Sequence, residues 1–361
     1  MAASLRGLPA KQPYRTLLLV GVFVSAWIIL VRLFFRDEDS LAITTLDDSS
    51  ENANHQLCAA HGFTPYPVIP QAPRRKVYDL TMVNTELDWL EIRLDALYDE
   101  VDLFVVVESP KTFHGHPKPM LAKESWDRFA KYHDKMLHHE LEFPSSFHPR
   151  RTWDYETLQR DASFEQVFPK LTGDRAPALG DVLVVADVDE IPRPDTLRTL
   201  RACTFPRRLT LYSQFYYYSF QFRKTGSEWQ HPQATFYEGQ QQTLKPDDLR
   251  SGKGGFPVLR WFETGSYANS SWHCSSCFDS IELFLNKMAS FSHKWMNGAQ
   301  FRDRDKIAAA VREGQDLWGR SNNKFVKLED NEDLPPMAQN DTRFTYMRDR
   351  SGDSAGFRDY P

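Results

Sequence analysis

The first half of the folded region contains three short apolar runs with the composition of buried strands. They are residues 77–83, 103–107 and 182–186, and the third is rich in β-branched side chains. Runs of this length without strict polar alternation are typical of strands covered on both faces, as in a largely parallel sheet. Between the first two runs, leucines recur at helical spacing over residues 86–98, which predicts an amphipathic helix. A strand, a helix and a second strand together predict a βαβ unit.

Further along the chain the pattern changes. Residues 155–168 are expected to form a helix, whereas residues 209–222 are rich in aromatic side chains and predict a strand. Three tryptophans follow in surroundings rich in Gly and Pro: Trp229, Trp261 and Trp272. Aromatic faces suit the C–H faces of sugar rings, although most aromatic side chains simply fill a core. Residues 331–361 are polar and are expected to form a loose C-terminal tail.

The N-terminal segment of residues 17–35 is apolar except for Ser25 and Arg32. At about 1.5 Å per residue, a helix here would be roughly 28 Å long, enough for one bilayer crossing. Basic residues precede the segment and acidic residues follow it, so the positive-inside rule predicts a cytosolic tail over residues 1–16, a transmembrane signal anchor and a lumenal remainder. The rather short span suits the Golgi membrane. A cleaved signal peptide is the alternative, but the apolar core is long for one and lacks a clean small-x-small cleavage site.

A stem and one folded domain are expected after this anchor. Residues 36–75 are acidic and polar at first and then carry four prolines, a composition that is poor at building a core. Residues 76–330 form the predicted domain, and if it is lumenal, the sequons at Asn269 and Asn340 are expected to carry N-glycans. The chain of 361 residues is 41% hydrophobic and 26% charged, with a formal net charge of −5. That balance is ordinary for a globular protein and argues against a nucleic-acid-binding or polybasic membrane protein.

The run at residues 182–186 is followed directly by three carboxylates, in the sequence Asp187-Val-Asp189-Glu190. Ligands of open α/β sheets bind outside the carboxyl ends of the strands. Two carboxylates two residues apart repel each other unless a cation lies between them. We therefore predict that Asp187 and Asp189 bind Mn²⁺, or alternatively Mg²⁺, together with a substrate diphosphate. The alternative is that one carboxylate caps the helix after Pro194 while the others are solvated.

The four cysteines are Cys58, Cys203, Cys274 and Cys277. The last two form half of a zinc-site pattern, which His273 and His293 would complete, but the chain has no second cysteine pair with ligand spacing. In an oxidising lumen, a disulfide between Cys274 and Cys277 is the preferred prediction. The pairing of the other two cysteines is left open.

Several stretches in order along the chain resemble glycosyltransferase family 17. They are residues 77–94, residues 105–109 with 112–119, Asp187-Val-Asp-Glu-Ile-Pro192 and Trp272-His-Cys-Ser-Ser-Cys-Phe278. Because the motifs occur in order, the resemblance is more specific than any one of them, and it extends over about residues 77–327. It implies an α/β fold of GT-A type with a mostly parallel central sheet, UDP-GlcNAc as donor and inversion at the anomeric carbon. It also implies a Golgi enzyme that transfers GlcNAc to a mannose of N-glycans in β-1,4 linkage.

Two kinds of chemistry need candidates if the resemblance holds. The departing diphosphate would be stabilised by the cation on Asp187 and Asp189, with His293 as a further ligand, since imidazole suits Mn²⁺. An inverting reaction also needs a base for the acceptor hydroxyl. Glu263 and Asp279 are the candidates for this base, and a solvated or ion-paired carboxylate is the alternative for each.

Five residues are candidates for donor binding: Glu86, Asp88, Glu108, Lys118 and Arg160. The three acids lie near the expected nucleotide pocket, where one could accept a hydrogen bond from uracil or ribose. The two cations could assist departure of the diphosphate, and the loop that carries Lys118 is basic. A structural role is the alternative in each case, such as helix capping by Glu86 and Asp88.

Two other classes of protein stay open at this point. Asp187 and Asp189 after a strand also resemble the nucleophile motif of aspartyl-phosphate phosphatases, which carry Thr or Val where this chain has Ile191. A non-catalytic, lectin-like membrane protein is the third interpretation, against which the intact acidic motif argues. The expected partners are therefore a nucleotide sugar, an N-glycan or glycoprotein acceptor and a membrane, with no nucleic acid.

Overall fold

The computed structural model describes residues 48–67, 73–290 and 294–360. The chain divides into two units, Met1–Ala53 and Asn54–Pro361, and the first described element is helix α1 (Asp48–Ala60). The predicted cytosolic tail, the anchor and the first part of the stem lie outside the described residues. Within the described ranges, no helix is both long and apolar enough to cross a membrane.

Four parallel strands form the first half of the central sheet. After the two-residue strand β1 (Thr64–Pro65), they are β2 (Val77–Val83), β3 (Leu103–Glu108), β4 (Met136–Glu140) and β5 (Val182–Asp187). The helices between them are α2 (Leu87–Leu97), α3 (Leu121–Glu124) and α4 (Thr152–Glu165). The strand order is β4-β3-β2-β5, so the predicted βαβ unit is present as β2, α2 and β3.

The second half of the sheet follows β5. Its elements up to the longest strand are β6 (Glu190–Pro192), α5 (Pro194–Ala202), β7 (Cys203–Thr204), β8 (Arg208–Tyr217), β9 (Ser219–Lys224), β10 (Gln233–Phe236), α6 (Pro246–Arg250), α7 (Arg260–Glu263) and β11 (Thr264–Ser275). The remaining elements are α8 (Ile281–Ser290), α9 (Arg304–Glu313), β12 (Phe325–Lys327) and α10 (Pro336–Asn340). The sheet continues from β5 through β10, β8, β9 and β12, and β11 pairs with β8 and β6.

The central sheet is mixed, so the expectation of a mostly parallel sheet is wrong. Four strand pairs are parallel and five are antiparallel. The strand predicted at residues 209–222 is divided at Tyr218, whose φ of 65° lets the chain reverse, so that β8 and β9 form a hairpin. An antiparallel neighbour needs only a turn, whereas a parallel neighbour needs a crossover of a dozen residues or more.

Both faces of β5 are buried, which explains why its sequence lacks polar alternation. Val182 and Val184 belong to the core cluster that includes α2, whereas Leu183 and Val185 belong to the cluster that includes α4. Each such side chain contributes about 1.5–3 kcal/mol when it is fully buried. The two helices thereby hold β5 against its parallel neighbour β2, and the carboxyl ends of both strands lie together.

The C-terminal residues differ from the expected loose tail. The 3₁₀ helix Thr342–Met347 packs onto the domain, and Arg350 is fully buried. The Arg350 guanidinium donates to the carbonyl oxygens of Tyr218 at 2.8 Å and Phe278 at 2.7 Å, and burial lowers the pKa of Arg350 to about 10. A few apolar side chains and one buried cation are therefore sufficient to dock a segment whose average composition is polar.

Two disulfides join Cys58 to Cys203 and Cys274 to Cys277. The first links α1 to β7, so the described end of the predicted stem is tied to the folded domain. The second closes the turn that follows β11. The sequon residues Asn269 and Asn340 are both exposed, as a glycosylated position must be.

Candidate active site

A cavity of about 270 Å³ opens at the carboxyl ends of β2 and β5. The two strands pair in parallel with Met82 opposite Asp187, so the loops that follow them leave the sheet side by side. Its acidic lining residues, here called the carboxylate wall, are Glu86, Asp187, Asp189 and Glu190. Its aromatic lining residues, here called the aromatic wall, are Phe215, Tyr217, Trp229, Phe284 and Trp318. The cavity occupies the edge of the sheet at which open α/β folds bind ligands.

Asp187 has both carboxylate oxygens bound by arginines. Arg160 of α4 donates to Oδ1 at 3.2 Å, and Arg250 of α6 donates to Oδ2 at 2.8 Å. Arg160 also donates to Glu156 and to Asp247, each at 2.8 Å. Burial favours the neutral acid, yet Arg250 and Arg160 together hold the pKa of Asp187 below its usual value. Asp187 is therefore a charged group that is fixed within a buried network.

Glu190 is the most enclosed member of the carboxylate wall and was missed in the sequence. Arg250 binds its two oxygens at 2.7 and 2.8 Å, and the Trp229 indole N–H donates to Oε1 at 2.7 Å. The backbone N–H of Asp187 donates to Oε2 at 3.0 Å. Burial opposes ionisation, but Arg250 holds the pKa of Glu190 well below its usual value. Glu190 thus connects the two walls, and its only signal in the sequence is its position beside Asp189.

Asp189 faces a lysine and a histidine. Lys287 Nζ of α8 lies 3.1 Å from Asp189 Oδ2 and 3.4 Å from Glu86 Oε1. His273 Nδ1 of β11 lies 3.2 Å from the Asp189 carbonyl oxygen and 3.7 Å from Oδ1. Burial works against a charged amine, but Asp189 and Glu86 raise the pKa of Lys287 above its usual value. Burial also works against a charged Glu86, yet Lys287 and nearby backbone N–H groups hold the pKa of Glu86 below its usual value.

The cavity fits a divalent cation in combination with a ligand that brings its own oxygens. No group of three or more His, Cys, Asp or Glu side chains in the described part of the chain is placed to hold a metal. Cations that act on phosphates are commonly held by one or two carboxylates together with phosphate oxygens. Asp189 suits this arrangement, since it faces one ammonium group and one imidazole, whereas both Asp187 oxygens are taken by arginines. The third predicted ligand, His293, lies outside the described residues.

The aromatic wall presents ring faces and edges to the cavity. Phe215 lies edge-on to His273 at 4.8 Å between ring centroids and 5.5 Å from Trp229. The rings of Trp229 and His273 are stacked at 5.3 Å, and Trp318 is stacked on Phe284 at 6.1 Å. Ring faces of this kind pack well against the C–H faces of sugars.

The other two predicted tryptophans do not line the cavity. Trp272 is buried in the core, where its indole N–H donates to Asp333 at 2.8 Å. Trp261 is 80% exposed on the short helix α7. Of the three, therefore, only Trp229 is placed to meet a ligand of this cavity.

Two of the donor-binding candidates, Glu86 and Arg160, belong to the carboxylate wall or contact it, and a third, Asp88, lies on α2. Glu86 lines the cavity, and Arg160 stands behind Asp187. Asp88 instead accepts hydrogen bonds from Arg128 at 2.6 Å and from the Tyr346 hydroxyl at 2.8 Å. Those contacts fasten α2 to neighbouring segments, which is a structural role.

The remaining donor-binding candidates, Glu108 and Lys118, pair with each other and are not among the residues that line the cavity. The Glu108 carboxylate accepts hydrogen bonds from the backbone N–H groups of Ala122 and Lys123, and His138 Nε2 lies 2.9 Å from it. Lys118 Nζ is 3.9 Å from Glu108, and burial lowers the pKa of Lys118. These contacts explain both residues as supports for the start of α3.

Neither candidate for the base lines the cavity. Glu263 lies between Arg207 and Arg208, at 3.2 and 3.1 Å. Asp279 pairs with Arg358 at 3.1 Å, and burial raises the pKa of Asp279. In the sequence, Glu263 follows Arg260-Trp-Phe and Asp279 lies shortly after the Cys-x-x-Cys pair, but in the folded chain both pair with arginines that do not line the cavity.

Comparisons with known proteins agree with this arrangement of motifs. The model of glycosyltransferase family 17 matches residues 29–342. Two relatives are the β-1,4-mannosyl-glycoprotein 4-β-N-acetylglucosaminyltransferases of Homo sapiens and Rattus norvegicus, each 24% identical over 278 residues. These matches cover 68% of this chain and 50% and 49% of the relatives, so the chain spans about half the length of the relatives. A mannosyltransferase from Pyrobaculum calidifontis, solved with GDP-Man and Mn²⁺, is similar with a TM-score of 0.34 and 14% identity, over 74% of this chain and 72% of that chain.

Proposed function

Because the chain belongs to glycosyltransferase family 17, we propose that it transfers GlcNAc from UDP-GlcNAc to a mannose of an N-glycan. The linkage is β-1,4, the anomeric carbon is inverted, and the fold is of GT-A type. The names of the two mammalian relatives support the sugar and the acceptor. The observation that carries the proposal is the cavity, which is lined both by Asp189 and its neighbouring carboxylates and by a set of aromatic rings.

In this proposal the donor diphosphate lies beside Asp189 and Lys287. A divalent cation bound there, Mn²⁺ or Mg²⁺, would supply positive charge to the departing nucleoside diphosphate. Asp187 serves a different purpose, because Arg160 and Arg250 already neutralise it. Its ion pairs hold the loop that carries Asp189 in one position before the donor arrives, and such preorganised charges contribute to catalysis without a cost of rearrangement.

The aromatic wall holds the sugar rings in this proposal. Phe215 and Trp229 offer two ring surfaces set at an angle of 57°, so that a sugar can contact one face while its hydroxyl groups reach polar neighbours. Excluding water from this side of the cavity strengthens the charge interactions on the other side. In this proposal the carboxylate wall supplies the charges that act on the diphosphate, and the aromatic wall supplies the surface that the sugar contacts.

The test is transfer from UDP-GlcNAc to a defined N-glycan by the full-length protein purified in detergent. Wild type should form product with Mn²⁺, lose activity with EDTA and regain it when Mn²⁺ is restored. Asp189→Asn should lower the rate by about three orders of magnitude, several kcal/mol of lost stabilisation of the leaving group. A matched control is Asp195→Asn, whose side chain is 81% exposed and which should leave the rate unchanged. If Asp189→Asn keeps more than about a tenth of the rate, a loss below roughly 1.4 kcal/mol, the role given to Asp189 is wrong.

The same preparation separates the other two classes of protein. A phosphatase that uses Asp187 as nucleophile needs a free carboxylate oxygen, but both oxygens are bound by arginines at 3.2 and 2.8 Å. Hydrolysis of phosphomonoesters faster than release of UDP would favour that class nonetheless. Binding of glycans without release of UDP would favour a lectin.

We also propose that the protein is a single-pass type II protein of the Golgi membrane. The supporting features are the apolar residues 17–35 with their flanking charges, the predicted stem at residues 36–75 and the exposed sequons. Peptide-N-glycosidase should then lower the apparent mass of the protein made in a eukaryotic cell. The double variant Asn269→Gln, Asn340→Gln should lose this shift. A wild type that never shifts, or a double variant that still does, would contradict the proposed topology or its glycosylation sites.

A further inference from the structure

Lys287 joins two carboxylates that come from different loops of the cavity. Its Nζ lies 3.1 Å from Asp189 and 3.4 Å from Glu86. The lysine side chain is 19% exposed and each carboxyl side chain 8%, so salt and water screen these ion pairs little. Helix α8 holds the lysine in place because its neighbours Phe284 and Met288 are buried in the core.

The position of Lys287 matters because a cation bound to Asp189 Oδ2 would occupy the place of its ammonium group. Two positive centres repel each other at contact distance, so the ammonium group has to move before a cation can bind there. Lysine can do this, since its charge lies at the end of a flexible four-carbon stem. Arg160 and Arg250 are different, because a rigid guanidinium group holds each of them on at least three carboxylate oxygens at once.

We propose that Lys287 takes the place of the divalent cation while no donor is bound, and that it turns toward the donor diphosphate when Asp189 binds the cation. This inference rests on the proposed function, because it takes the diphosphate to lie beside Asp189. Two effects of opposite sign follow. Lys287 weakens binding of the cation alone by occupying Asp189, and it strengthens binding of the nucleoside diphosphate once the cation is present by adding a positive charge. The cation and the diphosphate therefore help each other to bind.

The test measures binding, without reference to turnover, on the full-length protein in detergent. Mn²⁺ affinity is followed by electron paramagnetic resonance and UDP affinity by calorimetry. For Lys287→Gln and Lys287→Met, we expect Mn²⁺ alone to bind at least tenfold more tightly than in wild type. UDP at saturating Mn²⁺ should bind both variants at least tenfold more weakly. Lys224→Gln is the matched control for Mn²⁺ alone, since Lys224 also lines the cavity but lies over the Phe215 ring at 5.3 Å rather than between carboxylates.

A second measurement uses the wild type and does not depend on how the variants fold. Acetic anhydride labels lysine amines, and mass spectrometry of the digest reports the labelling of Lys287. Mn²⁺ added alone at high concentration should increase this labelling several-fold, because the amine is released from Asp189. Addition of UDP with Mn²⁺ should reduce the labelling again, because the amine then contacts the diphosphate.

The outcomes separate this inference from the proposed function. A lysine that merely supports the cavity would weaken both ligands when it is replaced, so Mn²⁺ binding by folded variants that is equal to or weaker than wild type overturns the inference alone. If the variants do not fold, Lys287 labelling that ignores Mn²⁺ overturns it in the same way. A wild type that binds neither Mn²⁺ nor UDP overturns the proposed function, and the inference with it.

Discussion

The carboxylate wall and the aromatic wall of the cavity are held in place by different interactions. In the carboxylate wall, Arg250 binds Asp187 at 2.8 Å and Glu190 at 2.7 Å, and Arg160 binds Asp187 at 3.2 Å. All four side chains are largely buried. In the aromatic wall, the ring centroids of Phe215 and Trp229 lie 5.5 Å apart, and the neighbouring His273 ring lies 4.8 Å from Phe215 and 5.3 Å from Trp229. One wall is a charge network and the other is a set of ring contacts.

Because the two walls are held by different interactions, substitutions in them should have different effects. Removing one partner of a buried ion pair leaves an uncompensated charge and is strongly destabilising. The loss of one ring contact costs less, because each contributes only about 0.5–1.5 kcal/mol beyond the area that it buries. Substitutions in the carboxylate wall should therefore change the stability of the fold, whereas conservative substitutions in the aromatic wall should change the binding of sugars.

The largest loss of stability is expected for Arg250→Met. This change leaves Asp187 and Glu190 without their shared cation, and we expect the free energy of unfolding to fall by about 3–5 kcal/mol. Denaturation in urea measures this loss. Arg198→Met is the control, because Arg198 is 56% exposed and pairs with Glu100 at the surface, where an ion pair is worth about 1 kcal/mol at most. Equal losses in the two variants would show that the buried ion pairs of Arg250 contribute no more to stability than a surface ion pair.

The loss caused by Arg250→Met should also depend on pH. Arg250 holds the pKa values of Asp187 and Glu190 below their usual range in the wild type, against the effect of burial. Their ion pairs therefore stabilise the fold above about pH 4, the range of the unfolded chain. This contribution is lost as the pH falls through the lowered pKa values. The difference between wild type and variant should be largest near neutral pH and should shrink toward pH 3.

Trp229→Phe tests the hydrogen bond from Trp229 to Glu190, which joins the two walls. The ring remains but the N–H that donates to Glu190 at 2.7 Å is lost, and a hydrogen bond to a charged group is worth about 1.5–3 kcal/mol. We expect that loss in the free energy of unfolding together with a lower kcat, because Glu190 supports the loop of Asp189. Trp272→Phe loses an N–H bond to Asp333 outside the cavity and should lower stability without lowering kcat. An unchanged kcat in Trp229→Phe would show that the hydrogen bond to Glu190 does not support the loop of Asp189.

Phe215→Leu tests the aromatic wall alone. Phe215 is only partly buried, so the change should lower the melting temperature little. The loss of one ring face should raise the KM for a sugar substrate by about three- to tenfold, since a stacking contact contributes at most about 1.5 kcal/mol. Phe205→Leu provides the opposite control, because Phe205 is buried in the core, where it contacts Phe236, and its replacement should lower the melting temperature without raising KM. An unchanged KM in Phe215→Leu would place the sugars elsewhere.

The smallest effect is expected behind the carboxylate wall, at Asp161 of α4. Its carboxylate accepts a hydrogen bond from the backbone N–H of Asp247 at 2.8 Å, and burial raises the pKa of Asp161 to about 7. A carboxyl group with a raised pKa stabilises the fold below its unfolded pKa, and this contribution is lost as the pH rises through 7. Asp161→Asn keeps the acceptor oxygen without the charge, so it should raise the melting temperature at pH 8 by about 2–4 °C, the equivalent of roughly 1 kcal/mol.

Two comparisons check this last prediction. The gain from Asp161→Asn should disappear at pH 4, where the wild-type carboxyl group is neutral. Asp174→Asn, at an exposed position, should show no gain at either pH. A gain that is absent at pH 8 would show that Asp161 is hydrated like a surface carboxylate.

Most of the carboxylate wall could be predicted from local sequence patterns. Strand β2 covers residues 77–83 as predicted, and β5 extends one residue beyond the predicted run to end at Asp187. Both predictions rest on local information, because a short apolar run without alternation is what a doubly covered strand requires. The position of Asp187 and Asp189 at the ligand-binding edge of the sheet then follows from the direction of the strand.

The partners of these carboxylates, in contrast, follow from the folding of distant segments onto one another. Lys287 is 98 residues from Asp189 along the chain, and Arg250 is 63 residues from Asp187. The sequence around a charged residue does not identify its distant partner. Glu263 and Asp279 were therefore plausible candidates for the base in the sequence, although both form ion pairs with arginines in the structure. Apolar burial leaves a periodic pattern because it depends on the local geometry of a strand or helix. An ion pair across a cavity leaves none, because it exists only after the chain has brought distant segments together.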